Sequence, residues 1–306
     1  MSFSYETKQE LCRVPIRKLC CARAEAYGIL LYCNTFQYGE IRIITENPLF
    51  AARLPRLFYR AFHLRFDALP DIHAPGKYVF RFSTPEKLRR VIATLGYDPR
   101  QTPVLHINFA MLEDDCCRAA FLRGAFFAGG SVTDPQKRYH LELLTSHVQV
   151  GRELQALLRD LDFPSKTLQR NGTFITYFKQ SGQIADFLRL IGAPDAAARL
   201  LNAKDEKRLR NSVNRRLNCD TANVDKSVEA SREQAEAIRK LRDTGQLERL
   251  SDKLQLTAAL RLEYPELSLS ELADEFDPPV TKSCLNHRLR KLTELAAASE
   301  TRDKEE

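Results

Sequence analysis

The sequence predicts an α+β protein in which two related α/β half-domains precede an all-α domain. Three observations lead to this prediction: a repeat, the same order of helix and strand patterns in both copies, and purely helical patterns after residue 200. The 306 residues suffice for two or three domains. We place half-domains at 1–100 and 101–200, a basic linker at 201–228, a helix-turn-helix domain at 229–296 and a disordered tail at 297–306.

The repeat is clearest around two cysteine doublets, Cys20-Cys21 and Cys116-Cys117, which are 96 residues apart. The same shift places Gly28 on Gly124. The four residues "DPQK" act as an insertion that raises the offset to 100 in the middle of the copies. Apolar positions keep their phase through three separate elements, so we interpret the repeat as an internal duplication.

Each copy is predicted to contain the same succession of elements. An apolar helix precedes a strand ("GEIRIIT", "RYHLELLT"), an amphipathic helix (47–62, 147–161), a second strand ("KYVFRF", "TFITYFK") and a short helix that ends in glycine. The dipeptide Asn171-Gly172 predicts a hairpin turn before the last strand of the second copy. We expect the two half-domains to pack on each other.

The apolar helix of the second copy leaves one side almost bare, because "FLRGAFFAGGSVTDP" places small residues there. These residues are Gly124, Ala125, Ala128, Gly129 and Gly130. Small side chains let another backbone approach closely. Since the feature occurs in both copies, we predict that the two helices form a central pair.

Composition and charge narrow the class of protein. The net charge of +7 favours an anionic partner, with nucleic acid ahead of a membrane surface. No apolar stretch approaches the roughly 18 residues of a membrane-spanning helix. The charged N-terminal residues also lack the apolar core of a signal peptide, so we expect a cytoplasmic protein.

The eight cysteines include no CxxC pair. We interpret them as reduced and mostly buried small side chains. A metal site is the alternative, but their spacing along the chain does not support it.

Basic residues and asparagines are interleaved in the predicted linker. A solvated charged helix would share this composition. Asparagine, however, can hydrogen-bond phosphates or base edges while arginine neutralises phosphate charge. The candidate DNA contacts in this region are Asn211, Asn214, Arg215, Arg216, Asn223 and Lys226.

The C-terminal region carries the pattern of a helix-turn-helix motif. The segment "SLSELADEF" begins with a capping box formed by Ser268 and Glu271. Two prolines in "DPPV" then force a turn, and Thr281 is a suitable N-cap for the helix "TKSCLNHRLRKLTEL". A helix, a sharp turn and a second helix in this order are typical of the motif.

The last helix separates apolar from polar residues at about 100° per residue. Leu285, Leu289 and Leu292 cluster on one side, with Leu295 near them. Ser283, Asn286, His287 and Arg290 fill the opposite side, and Lys282, Arg288 and Lys291 flank it. The polar side suits major-groove edges, and the cations suit phosphates. A helix that packs in the core and leaves one face solvated is the alternative.

His287 has no partner at metal-ligand spacing, so we interpret it as a DNA contact or a surface residue.

Residues 122–130, "LRGAFFAGG", resemble the LAGLIDADG motif of homing endonucleases, and residues 26–34 match it more weakly. The resemblance implies two central helices that each end in an acidic residue, and these acids hold the divalent ions that cut DNA. Here the acidic positions are Cys33 and Gly129, which offer no carboxylate. We therefore expect no metal site and no nuclease activity. Asp134 is a substitute ligand in principle, but Asp-Pro is a turn signal.

The degenerate motif pair, "NRRLNCDTANVDKSVEAS" and "YPELSLSELADEFDPPVTKSCLNHRLRKL" together closely resemble the WhiA family of bacterial regulators. The resemblance covers nearly the whole chain and is most specific over residues 211–292. It implies a DNA-binding protein linked to sporulation, cell division or chromosome segregation, without nuclease activity.

We accordingly expect a sequence-specific transcriptional regulator that binds double-stranded DNA, needs no cofactor, is a monomer and is associated with the nucleoid. Another transcription factor or RNA polymerase is a further candidate partner, and we expect no membrane partner. Two alternatives stay open: a residual metal-dependent DNA endonuclease, and a protein-interaction scaffold at the nucleoid.

Overall fold

Both copies of the repeat form the predicted order of helices and strands in the computed structural model, which describes residues 2–71, 76–98 and 105–302. The chain divides into two units, Met1–Arg208 and Leu209–Glu306. Mixed helices and sheets make up the first unit and helices the second, which confirms the α+β fold class.

The first copy is built on a three-stranded antiparallel sheet with the order β1-β2-β3, in which Ile43 lies opposite Phe80. Its elements are α1 (Phe3–Cys12), α2 (Leu19–Tyr32), β1 (Thr35–Phe36), β2 (Ile41–Thr45), α3 (Pro48–Phe62), β3 (Tyr78–Phe82) and α4 (Pro85–Thr94). Alternate residues of β2 and β3 are buried, so one face of the sheet belongs to the core.

The second copy has a four-stranded antiparallel sheet with the order β4-β5-β7-β6. Its elements are α5 (Asp115–Gly129), β4 (Gly130–Val132), β5 (Leu141–Thr145), α6 (Val148–Asp160), β6 (Lys166–Arg170), β7 (Thr173–Phe178) and α7 (Ser181–Ile191). Asn171 and Gly172 join β6 to β7 with φ values of 48° and 74°, which confirms the predicted hairpin turn.

Three strands lie outside the predicted set, for two physical reasons. β1 and β4 are only two and three residues long, too short for a periodic pattern. β6 is exposed along its whole length, so its sequence carries no alternation of apolar and polar residues.

The close packing of α2 against α5 confirms the predicted central pair. A Cβ atom added to Gly28 would lie 2.1 Å from the carbonyl oxygen of Phe121, and one added to Gly124 would lie 2.1 Å from that of Glu25. Glu25 and Phe121 are themselves 96 residues apart, so the two contacts are equivalent under the repeat. The two backbones touch because each helix places a glycine at the crossing.

The helix that follows, α8 (Pro194–Asp243), includes the whole segment predicted as a basic linker, 201–228. No glycine or proline occurs between residues 195 and 243, and this absence permits a continuous helix.

The second unit continues with α9 (Asp252–Glu263), α10 (Leu269–Asp274) and α11 (Lys282–Arg302). α11 extends as far as Arg302, into the stretch 297–306 that the sequence predicts to be disordered. Ala296 is buried against the core, and the alanines that follow favour helix, which accounts for the extension. Residues 303–306 lie outside the described residues.

The second unit has its own apolar core, to which each of its helices contributes. Its buried residues are Ile238, Leu241, Leu254, Ala258, Leu272, Ala273, Phe276, Leu285, Leu289, Leu292 and Ala296. Arg261 is only 1% exposed, and its Nη1 atom donates to the carbonyl oxygen of Leu267 at 2.9 Å and to Ser231 Oγ at 3.3 Å. These hydrogen bonds provide acceptors for part of the buried guanidinium group of Arg261, which lies next to the core.

Candidate nucleic-acid interface

Local hydrogen bonds fix the start of both helices in the helix-turn-helix region. Ser268 and Glu271 exchange backbone-to-side-chain hydrogen bonds of 2.9 and 3.4 Å, so the predicted capping box is confirmed. The backbone N–H of Cys284 donates to Thr281 Oγ1 at 3.2 Å, which confirms the predicted N-cap of α11. The Val280 N–H donates to the Ala273 carbonyl at 3.1 Å and closes the turn between α10 and α11.

α11 separates its apolar and polar residues as the sequence predicts. Leu285, Leu289 and Leu292 are fully buried, and Leu295 packs against the same core. The candidate base-reading side chains all lie exposed on the other side, namely Ser283, Asn286, His287 and Arg290. The leucines therefore hold the helix in place while a row of hydrogen-bonding groups faces solvent.

The flanking cations of α11 differ in their surroundings. Lys282 and Lys291 are exposed. The Arg288 guanidinium lies 5.6 Å from the centre of the Phe276 ring and is half-buried, so this side chain also packs on the unit's own core. Arg290 Nε is 3.1 Å from Glu294 Oε1, but both side chains are more than 60% exposed, and such a pair is weak enough to exchange for another acceptor.

The candidate contacts of α8 are all exposed, but they do not share one face. Asn211, Asn214, Arg215 and Lys226 lie within about 120° of the helix circumference. Arg216 and Asn223 lie about 60–80° beyond the nearer edge of that group. Across the helix runs a stripe of exposed apolar side chains: Leu209, Val213, Leu217, Val224 and Val228.

A thiol and a glycine occupy the two motif positions, Cys33 and Gly129, that carry acids in homing endonucleases. The Cys33 thiol donates to the carbonyl oxygens of Leu30 and Thr35, each at 3.2 Å, and burial raises its pKa to about 12. A Cβ atom added to Gly129 would lie 2.4 Å from the Leu144 carbonyl oxygen and 2.7 Å from a ring carbon of Tyr32. The position therefore has no room for an aspartate without a backbone shift.

Asp134, the other acidic residue considered from the sequence, organises the turn in which it lies. Its Oδ1 atom accepts a hydrogen bond of 2.8 Å from the Gln136 N–H, and its backbone carbonyl accepts from Lys137 and Arg138. This geometry is that of an Asx turn, as the Asp-Pro dipeptide predicts.

A buried ion network around Glu25 was not found from the sequence. The Glu25 carboxylate in α2 accepts from Arg53 Nε in α3 at 2.7 Å and from Arg123 Nε in α5 at 2.9 Å. Arg53 also donates to the Val14 carbonyl at 2.6 Å, and Arg123 to the Ile191 carbonyl at 2.8 Å. An arginine inside an apolar helix motif, as in "FLRGAFF", was the available signal, since a buried cation requires an acidic partner.

The cysteines differ from the prediction in burial and in proximity. Only Cys117 is buried, four others are half-buried, and Cys20, Cys219 and Cys284 are exposed. The two doublets come together, with the Sγ atoms of Cys20, Cys21, Cys116 and Cys117 all within 4.8 Å of one another. Spacing along the chain does not reveal this cluster, because its members come from two helices. The doublets' equivalent positions in the repeat were the signal that could have revealed it.

Comparison with known families gives two domain matches. The model of the WhiA LAGLIDADG-like domain matches residues 118–210, and that of the WhiA C-terminal HTH domain matches residues 213–296. Among the described residues, no helix is long and apolar enough to span a membrane.

Relatives match over almost their whole length. The chain is 35% identical to a probable cell division protein WhiA of Alkaliphilus metalliredigens, with 97% of this chain and 98% of that protein covered. The corresponding protein of Heliobacterium modesticaldum is 38% identical, with 97% of both chains covered. The crystal structure of full-length DUF199/WhiA from Thermatoga maritima shares the fold, with a TM-score of 0.60, 23% identity, and 97% and 99% of the two chains covered.

Proposed function

The chain belongs to the WhiA family, and from this premise we propose that it is a sequence-specific DNA-binding regulator of transcription. The observation that carries the proposal is the exposed face of α11. Ser283, Asn286, His287 and Arg290 offer donors and acceptors to solvent above a fully buried leucine face. Such side chains discriminate base pairs in the major groove, which admits a single helix.

The remaining candidate residues supply sequence-independent affinity in this proposal. Lys282, Lys291 and the cations of α8 neutralise phosphates, and the asparagines of α8 hydrogen-bond the backbone. Arg288 approaches a phosphate only with the part of its guanidinium that does not lie on Phe276. The net charge of +7 draws the protein to DNA over longer distances.

Arg290→Ala is expected to weaken specific binding by about 1–3 kcal/mol and to relax selectivity at one base pair. Gel-shift titrations with a site selected from random DNA give the affinity, and single-base variants of that site give the selectivity.

Lys291→Ala, by contrast, is expected to weaken binding to all DNA sequences alike and to lower the salt dependence of the affinity.

Arg242→Ala is the matched control for Arg290→Ala, because it removes an exposed arginine of the second unit from outside the candidate set. If Arg290→Ala binds DNA with the same affinity and the same base preference as the wild type, Arg290 is not one of the residues that recognise bases.

We further propose that the protein does not cut DNA. The Cys33 thiol is protonated and donates to backbone carbonyl oxygens. At Gly129, the Leu144 carbonyl and the Tyr32 ring occupy the space that an acidic side chain would need. Hard cations need oxygen ligands, so these positions supply none of the metal chemistry of the homing endonucleases.

Incubation of the wild type with supercoiled plasmid and Mg²⁺ or Mn²⁺ is expected to leave the plasmid uncut, and Gly129→Asp is expected not to restore nicking. A mock preparation from cells without the gene controls for contaminating nucleases. Metal-dependent nicking by the wild type that is absent from the mock preparation would revive the endonuclease alternative.

The biological setting proposed from the family is cell division, sporulation or chromosome segregation, with the protein associated with the nucleoid. The relatives' name, probable cell division protein, supports this setting. In this setting the protein acts as a monomer, because the duplication already places both half-domains in one chain. RNA polymerase or another transcription factor is the proposed protein partner.

A further inference from the structure

The first turns of the two central helices bring four thiols together. Cys20 and Cys21 begin α2, Cys116 and Cys117 begin α5, and the four Sγ atoms lie within 4.8 Å of one another. In a tetrahedral zinc site, bonds of about 2.3 Å place the sulfur atoms about 3.8 Å apart. Small side-chain rotations therefore convert the observed cluster into a closed coordination sphere.

We propose that Cys20, Cys21, Cys116 and Cys117 bind one zinc ion through their four thiolates. Four sulfur ligands in a tetrahedral arrangement select zinc or iron–sulfur chemistry over magnesium, calcium or manganese. An iron–sulfur cluster inserts several iron and sulfide atoms between its ligands and requires a wider cage. The short distances between these thiols favour the single ion.

The first turn of a helix suits a thiolate, and both doublets lie in such a turn. The N-terminal ends of α2 and α5 both point their partial positive charge at the cluster, which stabilises thiolates. Arg17 and Lys18 precede the first doublet and Arg118 follows the second, whereas Glu113, Asp114 and Asp115 precede the second doublet, so the side-chain charges near the cluster balance. Zinc binding releases the thiol protons to solvent, and the exposed Cys20 gives the ion a path from water.

The position of the site indicates a structural role. The cluster lies at the start of α2 and α5, whereas Cys33 and Gly129 lie at their ends, about 20 Å away for helices of 14 and 15 residues. The ion therefore cannot contribute to the abandoned nuclease chemistry. It would clamp the first turns of the two helices, whose backbones touch further along at Gly28 and Gly124.

The direct test measures zinc in the full-length protein, prepared in reducing buffer, loaded with zinc and dialysed against a weak chelator. Mass spectrometry of metals is expected to find about one zinc per chain in the wild type and almost none in Cys21→Ser/Cys117→Ser. Cys219→Ser/Cys284→Ser, which removes two exposed thiols outside the cluster, is expected to retain the full amount. Equal zinc in all three proteins would overturn the proposal, as would a wild type that retains none.

A second measurement needs no variant and so decides the question even if the cluster variant fails to fold. Alkylation with N-ethylmaleimide, mapped by peptide mass spectrometry, is expected to show that zinc protects Cys20, Cys21 and Cys116 at least tenfold. Cys219 and Cys284 serve as the internal controls, because they are exposed and outside the cluster. Zinc-independent alkylation of the doublets, or their recovery as disulfides from reducing buffer, would contradict the site.

Discussion

Glu25→Ala is expected to lower the free energy of unfolding of the N-terminal unit by about 3–5 kcal/mol, because it leaves two buried arginines without a counter-charge. Arg53 and Arg123 keep only their bonds to backbone carbonyls, and both side chains are at most 10% exposed. Urea unfolding followed by circular dichroism measures the loss.

The matched control is Glu46→Ala. Glu46 also pairs with a cation, Lys77, at 3.9 Å, but both side chains are about 70% exposed. Such a pair contributes at most about 1 kcal/mol. If Glu25→Ala lowers the free energy of unfolding as little as Glu46→Ala does, then water reaches Arg53 and Arg123 and the ion network is not buried.

Gly28→Ala is expected to destabilise the central helix pair by about 3 kcal/mol or more, at the upper end of overpacking effects. The added methyl group would lie 2.1 Å from the Phe121 carbonyl oxygen and 2.8 Å from the Ala125 nitrogen, both of which are backbone atoms. No change of rotamer relieves a backbone contact, so α2 and α5 must move apart along their whole interface.

Gly182→Ala provides the control, because it makes the same substitution in α7 at a position with open space around it. There the loss of backbone freedom in the unfolded chain is expected to stabilise the protein by about 0.5–1 kcal/mol. The two variants thus shift the urea midpoint in opposite directions. Stability within about 0.5 kcal/mol of the wild type for Gly28→Ala would contradict contact between the helix backbones.

Features with a short sequence period were predictable. The leucines of α11 recur at helical spacing, so their burial was predictable. The small residues of "FLRGAFFAGG" have counterparts in the first copy, so the pairing of α2 with α5 was predictable as well. The capping box at Ser268 needs only residues three apart.

Features made by distant residues were not predictable in the same way. Glu25 finds Arg53 and Arg123 only after three helices have packed, and nothing near Glu25 in the sequence indicates either partner. The four thiols meet because the repeat places the equivalent first turns of α2 and α5 side by side, and neither doublet alone has the spacing of a metal site. The strand β6 carries no apolar period, since every one of its residues is exposed although the strand pairs with β7.

The tight fit around Gly129 makes an acidic side chain difficult to introduce at this position. A single base change can turn a glycine codon into an aspartate codon, yet the Cβ atom of the new residue would lie 2.4 Å from the Leu144 carbonyl oxygen and 2.7 Å from the Tyr32 ring. An acidic side chain at residue 129 therefore needs a shift of the neighbouring strand β5 as well as a point mutation.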